Sequence, residues 1–86
     1  TPLYSSAASD VYKRQLQDFV IEVQPVSNQV VVKTTTAAAQ VIAESIDNLH
    51  LEGIVASLAG DNVVLVITGD QKNAELVAKS IDDYIE

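Results

Sequence analysis

The chain has 86 residues, which is enough for one domain with a small core. It contains no cysteine, so a disulfide framework and a thiolate metal site are excluded, and a reducing cytoplasm is the expected compartment. Its net charge is −7 with only 5 Lys and Arg residues, which argues against nucleic-acid binding by this chain. A cationic small molecule is the more natural partner for such a surface, while simple solubility is the alternative and more general role of the charge.

Residues 1–15 are mostly small and polar and show neither helical nor strand periodicity. We expect a disordered lead-in here. The segment also resembles the translated adapter sequence of some environmental assemblies, in which case it is not native; a native linker is the alternative. Residues 16–86 are expected to form the domain. No apolar run approaches the roughly 20 residues of a membrane helix and no secretion signal is recognisable, so we expect no membrane partner.

The first part of the domain predicts a β-hairpin. Phe19, Ile21 and Val23 alternate with their neighbours as in a strand, residues 25–28 have turn chemistry, and residues 30–32 are three valines.

A helix is predicted over residues 37–49, with one of Thr34–Thr36 as its cap. Apolar side chains recur along it at helical spacing. Its other face carries Gln40, Glu44 and Asp47.

The next predicted strand covers residues 54–59, with Ile54, Ala56 and Leu58 on one side. Gly, Asp and Asn at 60–62 all tolerate the geometry of a tight turn. This pattern predicts a second hairpin.

Residues 63–67 form a fourth strand that is apolar at every position. Asp70 is a candidate N-cap for a second helix that runs to the C-terminus. The order predicts an α+β fold, a two-layer sandwich in which a four-stranded antiparallel sheet carries two helices on one face (ββαββα). Because the fourth strand is apolar on both sides, the open face should be covered by other copies of the chain.

Nothing in the sequence predicts an enzyme. His50 is the single histidine and sits in a polar loop, without the partners of a catalytic group. Asp82 and Asp83 are adjacent in a helix and therefore point apart. The acids and the histidine lack metal-ligand spacing, and the three glycines are scattered, so neither a metal nor a phosphate-binding cofactor is expected.

Residues 56–63 read Ala-Ser-Leu-Ala-Gly-Asp-Asn-Val, which by itself is ordinary turn chemistry. In bacterial arginine repressors the corresponding segment typically reads Gly-Thr-Ile-Ala-Gly-Asp-Asp-Thr. Upstream, the family has His/Lys-Thr-Xaa-Pro-Gly-Xaa-Ala-Gln and then Leu/Ile-Asp-Xaa-Leu, where this chain has Lys-Thr-Thr-Thr-Ala-Ala-Ala-Gln at 33–40 and Ile-Asp-Asn-Leu at 46–49. From about Leu16 to its end, the chain resembles the C-terminal oligomerisation and arginine-binding domain of these repressors.

The resemblance implies trimers that pair into hexamers, with L-arginine bound between the trimers as co-repressor. Asp61 would hold the guanidinium with Asn62 alongside, because a carboxylate can accept two parallel N–H bonds from that group. Gln40 and Asp47 would hold the amino-acid end of the ligand. The full set of implied ligand-binding residues is Gln40, Asp47, Ser57, Ala59, Asp61 and Asn62.

Three departures from the family pattern bear on this site. Asn62 replaces the second acid of the Asp-Asp pair, which should weaken attraction for a guanidinium or change ligand preference. Val63 replaces a threonine and removes a hydroxyl. Thr36 and Ala37 replace Pro-Gly, which should alter only the start of the helix.

The resemblance thus predicts the oligomerisation and arginine-sensing domain of a transcriptional repressor of arginine metabolism, without its winged-helix DNA-binding domain. Operator DNA would bind through that missing domain. One alternative is an oligomerising paralogue that no longer senses arginine. Another is a small enzyme subunit or an unrelated amino-acid-binding regulatory module.

Overall fold

The structure is a computed structural model that describes the backbone of residues 2–85 and the side chains of residues 10–85. Thr1 of the predicted lead-in and Glu86 of the predicted last helix lie outside the described residues. The elements in chain order are α1 (Pro2–Phe19), β1 (Val20–Val26), β2 (Gln29–Thr34), α2 (Ala39–Leu49), β3 (Ile54–Ala59), β4 (Val63–Thr68) and α3 (Gln71–Ile85).

The strands form one antiparallel sheet in the order β1-β2-β4-β3, so β2 and β4 are central. Alternate residues of these two strands face the helices and are fully buried, as strand geometry requires. They pack on the apolar stripes of α2 and α3, and Leu16 of α1 joins the same core. The predicted α+β sandwich is confirmed, with a third helix added among the described residues.

Helix α1 corrects the expectation that residues 1–15 lack regular structure. Among the residues of α1 whose side chains the structure describes, Leu16 is fully buried and anchors the C-terminal half of the helix. Two polar contacts add to it: Ser45 Oγ donates to Gln15 Oε1, and Gln17 Nε2 donates to the carbonyl oxygen of Tyr84 at 2.9 Å. These contacts tie α1 to both α2 and α3.

Each edge strand contains a β-bulge that the sequence did not predict. In β1 the register shifts between Val20 and Glu22, and in β3 it shifts between Ile54 and Ala56. Each bulge changes which residues face the helices, so the predicted alternation of Phe19, Ile21 and Val23 and the predicted shared side of Ile54, Ala56 and Leu58 are both wrong. The bulged residues themselves are exposed, Ile21 at 67% and Val55 at 70%.

The two main helices begin differently. In α3 the predicted cap is confirmed, because Asp70 Oδ1 accepts a hydrogen bond from the Asn73 N–H at 2.8 Å. In α2 the predicted threonine cap is wrong: Thr34 ends β2, and Ala38, which has no side chain able to cap, occupies the N-cap position. The chain reaches α2 through Ala37, whose φ is +65°.

Ala37→Gly is expected to stabilise the fold by up to about 1 kcal/mol. A Cβ in the left-handed region costs roughly 1–2 kcal/mol, which glycine avoids, although glycine also gains entropy in the unfolded chain. The family that the sequence resembles has glycine at this position. Urea unfolding measures the change, and Ala78→Gly within α3 is the control, with an expected loss of at least 1 kcal/mol. A loss of stability in Ala37→Gly would contradict this account of the strain.

The sheet face that is turned away from the helices is the outer face. Leu65 and Ile67 of β4 lie on it with Val31 of β2 and Leu58 of β3, as the strand register shows. Leu58 is 62% exposed. In the described part of the chain, no helix covers this face, so the predicted open apolar surface is present.

Candidate ligand-binding site

The second hairpin is held firmly against the start of α2. The Gly60 N–H donates to the carbonyl oxygen of Val63 at 2.8 Å, which closes the turn. The carbonyl oxygen of Asp61 accepts from the Ala39 N–H at 3.2 Å, and that of Asn62 accepts from the Thr34 N–H at 2.9 Å. The main chain of the hairpin tip is therefore fixed, while the side chains at 61 and 62 are exposed.

A pocket of about 420 Å³ lies between α2 and the edge strand β3. Helical spacing places the polar face of α2 along one wall, and the inward-facing residues of β3 form the other. The lining residues are Gln40, Val41, Ala43, Glu44, Asp47, Asn48, Ser57 and Ala59.

Hydrogen bonds fix part of the polar wall. The Ser57 hydroxyl donates to Asp47 Oδ1 at 3.2 Å, which links β3 to α2 across the pocket. The next residue, Asn48, uses its Nδ2 to donate to the main-chain oxygen of Glu44, one turn earlier in the helix, at 2.8 Å. Of the carboxylates in the lining, that of Asp47 is thus oriented by a side-chain hydrogen bond.

The structure brings four of the six residues implied by the resemblance into this one pocket: Gln40, Asp47, Ser57 and Ala59. Asp61 and Asn62 are not part of the pocket lining. They sit on the adjoining hairpin tip, which is attached at Ala39, the residue before Gln40. Within one copy of the chain, the acidic turn and the pocket are thus neighbouring but separate surfaces.

Glu44 also lines the pocket, although it is not among the ligand-binding residues that the family pattern implies. The helical pattern carried a signal, because Glu44 is four residues after Gln40 and three before Asp47 on the same predicted face. The arginine repressor pattern contains no motif residue at the position of Glu44 and therefore did not indicate it as a ligand-binding residue.

A smaller pocket of about 260 Å³ continues along the same groove toward the end of α2, and Asp47 lines both pockets. His50 lies in the smaller one, at the C-cap of α2 with φ of +53°. Among the described residues, no group of three or more His, Cys, Asp or Glu side chains is placed to hold a metal ion. The helices described here are too short or too polar to cross a membrane.

Comparison with known proteins places the sequence of the chain in a family. The sequence model described as "Arginine repressor, C-terminal domain" matches residues 16–83. The chain belongs to the arginine repressor C-terminal domain family. This match confirms the predicted family. Arginine repressors are transcription regulators and not enzymes, in agreement with the prediction that the chain is not an enzyme.

Several arginine repressors are similar to the chain. That of Clostridium novyi is 39% identical over 67 residues, which cover 78% of this chain and 44% of the relative. That of Acidobacterium capsulatum is 37% identical over 70 residues, covering 81% and 47%. That of Halothermothrix orenii is 34% identical over 73 residues, covering 85% and 49%. The chain therefore spans about half the length of these arginine repressors.

Proposed function

We propose that residues 16–86 form the oligomerisation and L-arginine-sensing domain of a cytoplasmic transcriptional repressor of arginine metabolism. The observation that carries the proposal is the pocket between α2 and β3: four residues implied by the family pattern line it, and the acidic turn adjoins it. In the whole protein, operator DNA would be bound by a winged-helix domain outside these residues. The acidic composition of the chain supports the assignment of DNA binding to a separate domain.

The ligand would be held by its two ends. Asp47, oriented by Ser57, is suited to an α-ammonium group, and the Gln40 amide can donate to the α-carboxylate. Asp61 lies outside the pocket of its own chain and has an exposed side chain. Contact with a guanidinium would thus bring the Asp61 turn of a second copy toward this pocket, which would couple ligand binding to assembly.

Self-association as a trimer or hexamer is supported by the outer face. A domain of this size has little core of its own, and burial of Leu58, Leu65 and Ile67 would add apolar contact area. Burying apolar surface stabilises by about 25 cal/mol per Å². Association through the outer face would then stabilise this small domain.

Sedimentation and thermal unfolding test both parts of this proposal. We expect a trimer or hexamer at micromolar concentration. At about 100 times the dissociation constant, arginine should stabilise the assembly by roughly 2.7 kcal/mol, a shift in Tm of on the order of 10–20 °C. Ornithine, citrulline and lysine are the matched ligands. A stable folded monomer would contradict the assembly.

A second candidate function is an oligomerising paralogue that does not sense arginine. Asn62, which removes one charge from the acidic turn, is the observation that favours it. An assembled protein with no arginine-dependent shift at saturating ligand would establish this candidate.

A further inference from the structure

The two ends of the central strand pair, β2 and β4, are closed by matched main-chain bonds. At one end the Thr34 N–H donates to the carbonyl oxygen of Asn62 at 2.9 Å, and at the other end the Thr68 N–H donates to the carbonyl oxygen of Asn28 at 2.8 Å. Thr34 and Thr68 are both 2% exposed. The two bonds therefore agree in length and burial, and they differ in the side chains around them.

Side chains reinforce the end at Asn28. Asn28 Nδ2 donates to the carbonyl oxygen of Thr68 at 3.1 Å, and the Thr68 hydroxyl lies 2.7 Å from the carbonyl oxygen of Asn28. At the other end the Thr34 hydroxyl donates instead to the carbonyl oxygen of Thr35 at 2.9 Å. The described hydrogen bonds that close the end at the acidic turn are main-chain bonds, so this end has more stability to gain from a ligand on the turn.

The acidic turn also supports the start of α2. The carbonyl oxygen of Asp61 accepts from the Ala39 N–H at 3.2 Å, in a helix whose N-cap residue, Ala38, makes no side-chain cap. Residues 34–39, which we call the connecting segment, run from the end of β2 to the first turn of α2. Both ends of the connecting segment are therefore bonded to the acidic turn.

The connecting segment also holds the junction between α1 and β1. The Thr35 N–H donates to the carbonyl oxygen of Phe19, the last residue of α1, at 2.9 Å. Thr34 and Thr35 are adjacent, so the bond to the acidic turn and the bond to Phe19 come from neighbouring peptide units. A ligand that stabilises the turn therefore stabilises the attachment of Phe19 as well.

Resting on the proposed function, we infer that the connecting segment transmits ligand binding at the acidic turn to the junction between α1 and β1. Contact of Asp61 with a guanidinium stabilises the closed end of the β2–β4 pair, and the bond between Thr35 and Phe19 extends that stability to the C-terminal end of α1. The fold thus contains a regulatory device, in which the ligand determines how rigidly α1 is attached to the sheet.

Amide hydrogen exchange of the full 86-residue chain, measured residue by residue by NMR with and without L-arginine, tests this inference. The measured quantities are the exchange rates at Thr34, Thr35 and Ala39, each divided by the rate at Thr68, which corrects for general stabilisation by the ligand. In the ligand-free chain we expect Thr34 to exchange about tenfold faster than Thr68, the effect of one or two hydrogen bonds on local opening. Saturating arginine should lower all three ratios about tenfold.

The matched control is Asn28→Ala, which removes the side-chain donor at the opposite end of the strand pair. It should speed exchange at Thr68 and leave the slowing of Thr34 by arginine unchanged, whereas Asp61→Asn should lose that slowing. Equal slowing at all four amides, with arginine binding seen by calorimetry, overturns the inference and leaves the proposed function intact. Slowing at Thr34 and Ala39 but not at Thr35 overturns the transmission to α1. Failure of arginine to bind contradicts both the inference and the proposed function.

Discussion

Asp61→Asn is expected to abolish the response of the assembled protein to arginine. The substitution keeps the shape of the side chain and one acceptor, but it removes the charge that would pair with the guanidinium. If the ligand is enclosed between copies, loss of one partner of a buried pair costs about 3–5 kcal/mol, or at least a hundredfold in affinity. Asn62 carries no charge, so the turn offers no second acid in its place.

The structure makes this variant informative because the described hydrogen bond of Asp61 uses its main-chain oxygen. The hairpin should therefore remain docked on α2. Thermal unfolding with and without arginine, together with sedimentation, measures both sensing and assembly. Asp82→Asn, on the exposed face of α3, is the control and should respond like the parent. An assembled Asp61→Asn protein with the parental arginine shift would refute the assignment, whereas Asn62→Asp should tighten binding.

Leu16→Ala is expected to destabilise the fold by about 2–5 kcal/mol, a large part of the total for a domain of this size. Leu16 is fully buried, and the change would leave a cavity where α1 meets the core. The corresponding fall in Tm is roughly 10–25 °C.

The control for this variant lies on the same helix. Val11 is 55% exposed, so Val11→Ala should change stability by less than about 0.5 kcal/mol. Urea unfolding gives the free energy of unfolding of both variants, and their difference separates the loss of core packing at Leu16 from the change in helix propensity that both variants share. Equal stability of Leu16→Ala and the parent would mean that α1 does not contribute to the core.

The central part of the fold could be predicted from sequence because its signals are local. Residues 63–67 are all apolar, residues 54–59 are apolar except for Ser57, and turn residues bound both segments; the observed strands begin at the predicted positions. The bulges could not be predicted. Ile21 and Val55 are β-branched, as strand residues commonly are, and nothing in their sequence marks them as extra residues. Their outward position is set by pairing with a distant strand.

The site was predictable to a similar extent. Gln40, Asp47, Ser57 and Ala59 were implied by the family pattern, and their grouping depends on the packing of α2 against β3. Helical spacing alone placed Glu44 on the same face, but whether that face bordered solvent or a pocket depends on the position of β3. The polar residue types of the pocket could thus be predicted from sequence, whereas their grouping around one pocket depends on the tertiary contact between α2 and β3.

The bulges at both ends of the sheet have a consequence for solubility. A straight edge strand exposes an unbroken row of N–H and C=O groups to which further strands can add without limit, as in a fibril. Here the register breaks at Ile21 and Val55 interrupt both rows, and Pro25 in β1 has no N–H to donate. Both edges are therefore poor templates for a further strand, which disfavours amyloid-like growth by edge-to-edge pairing.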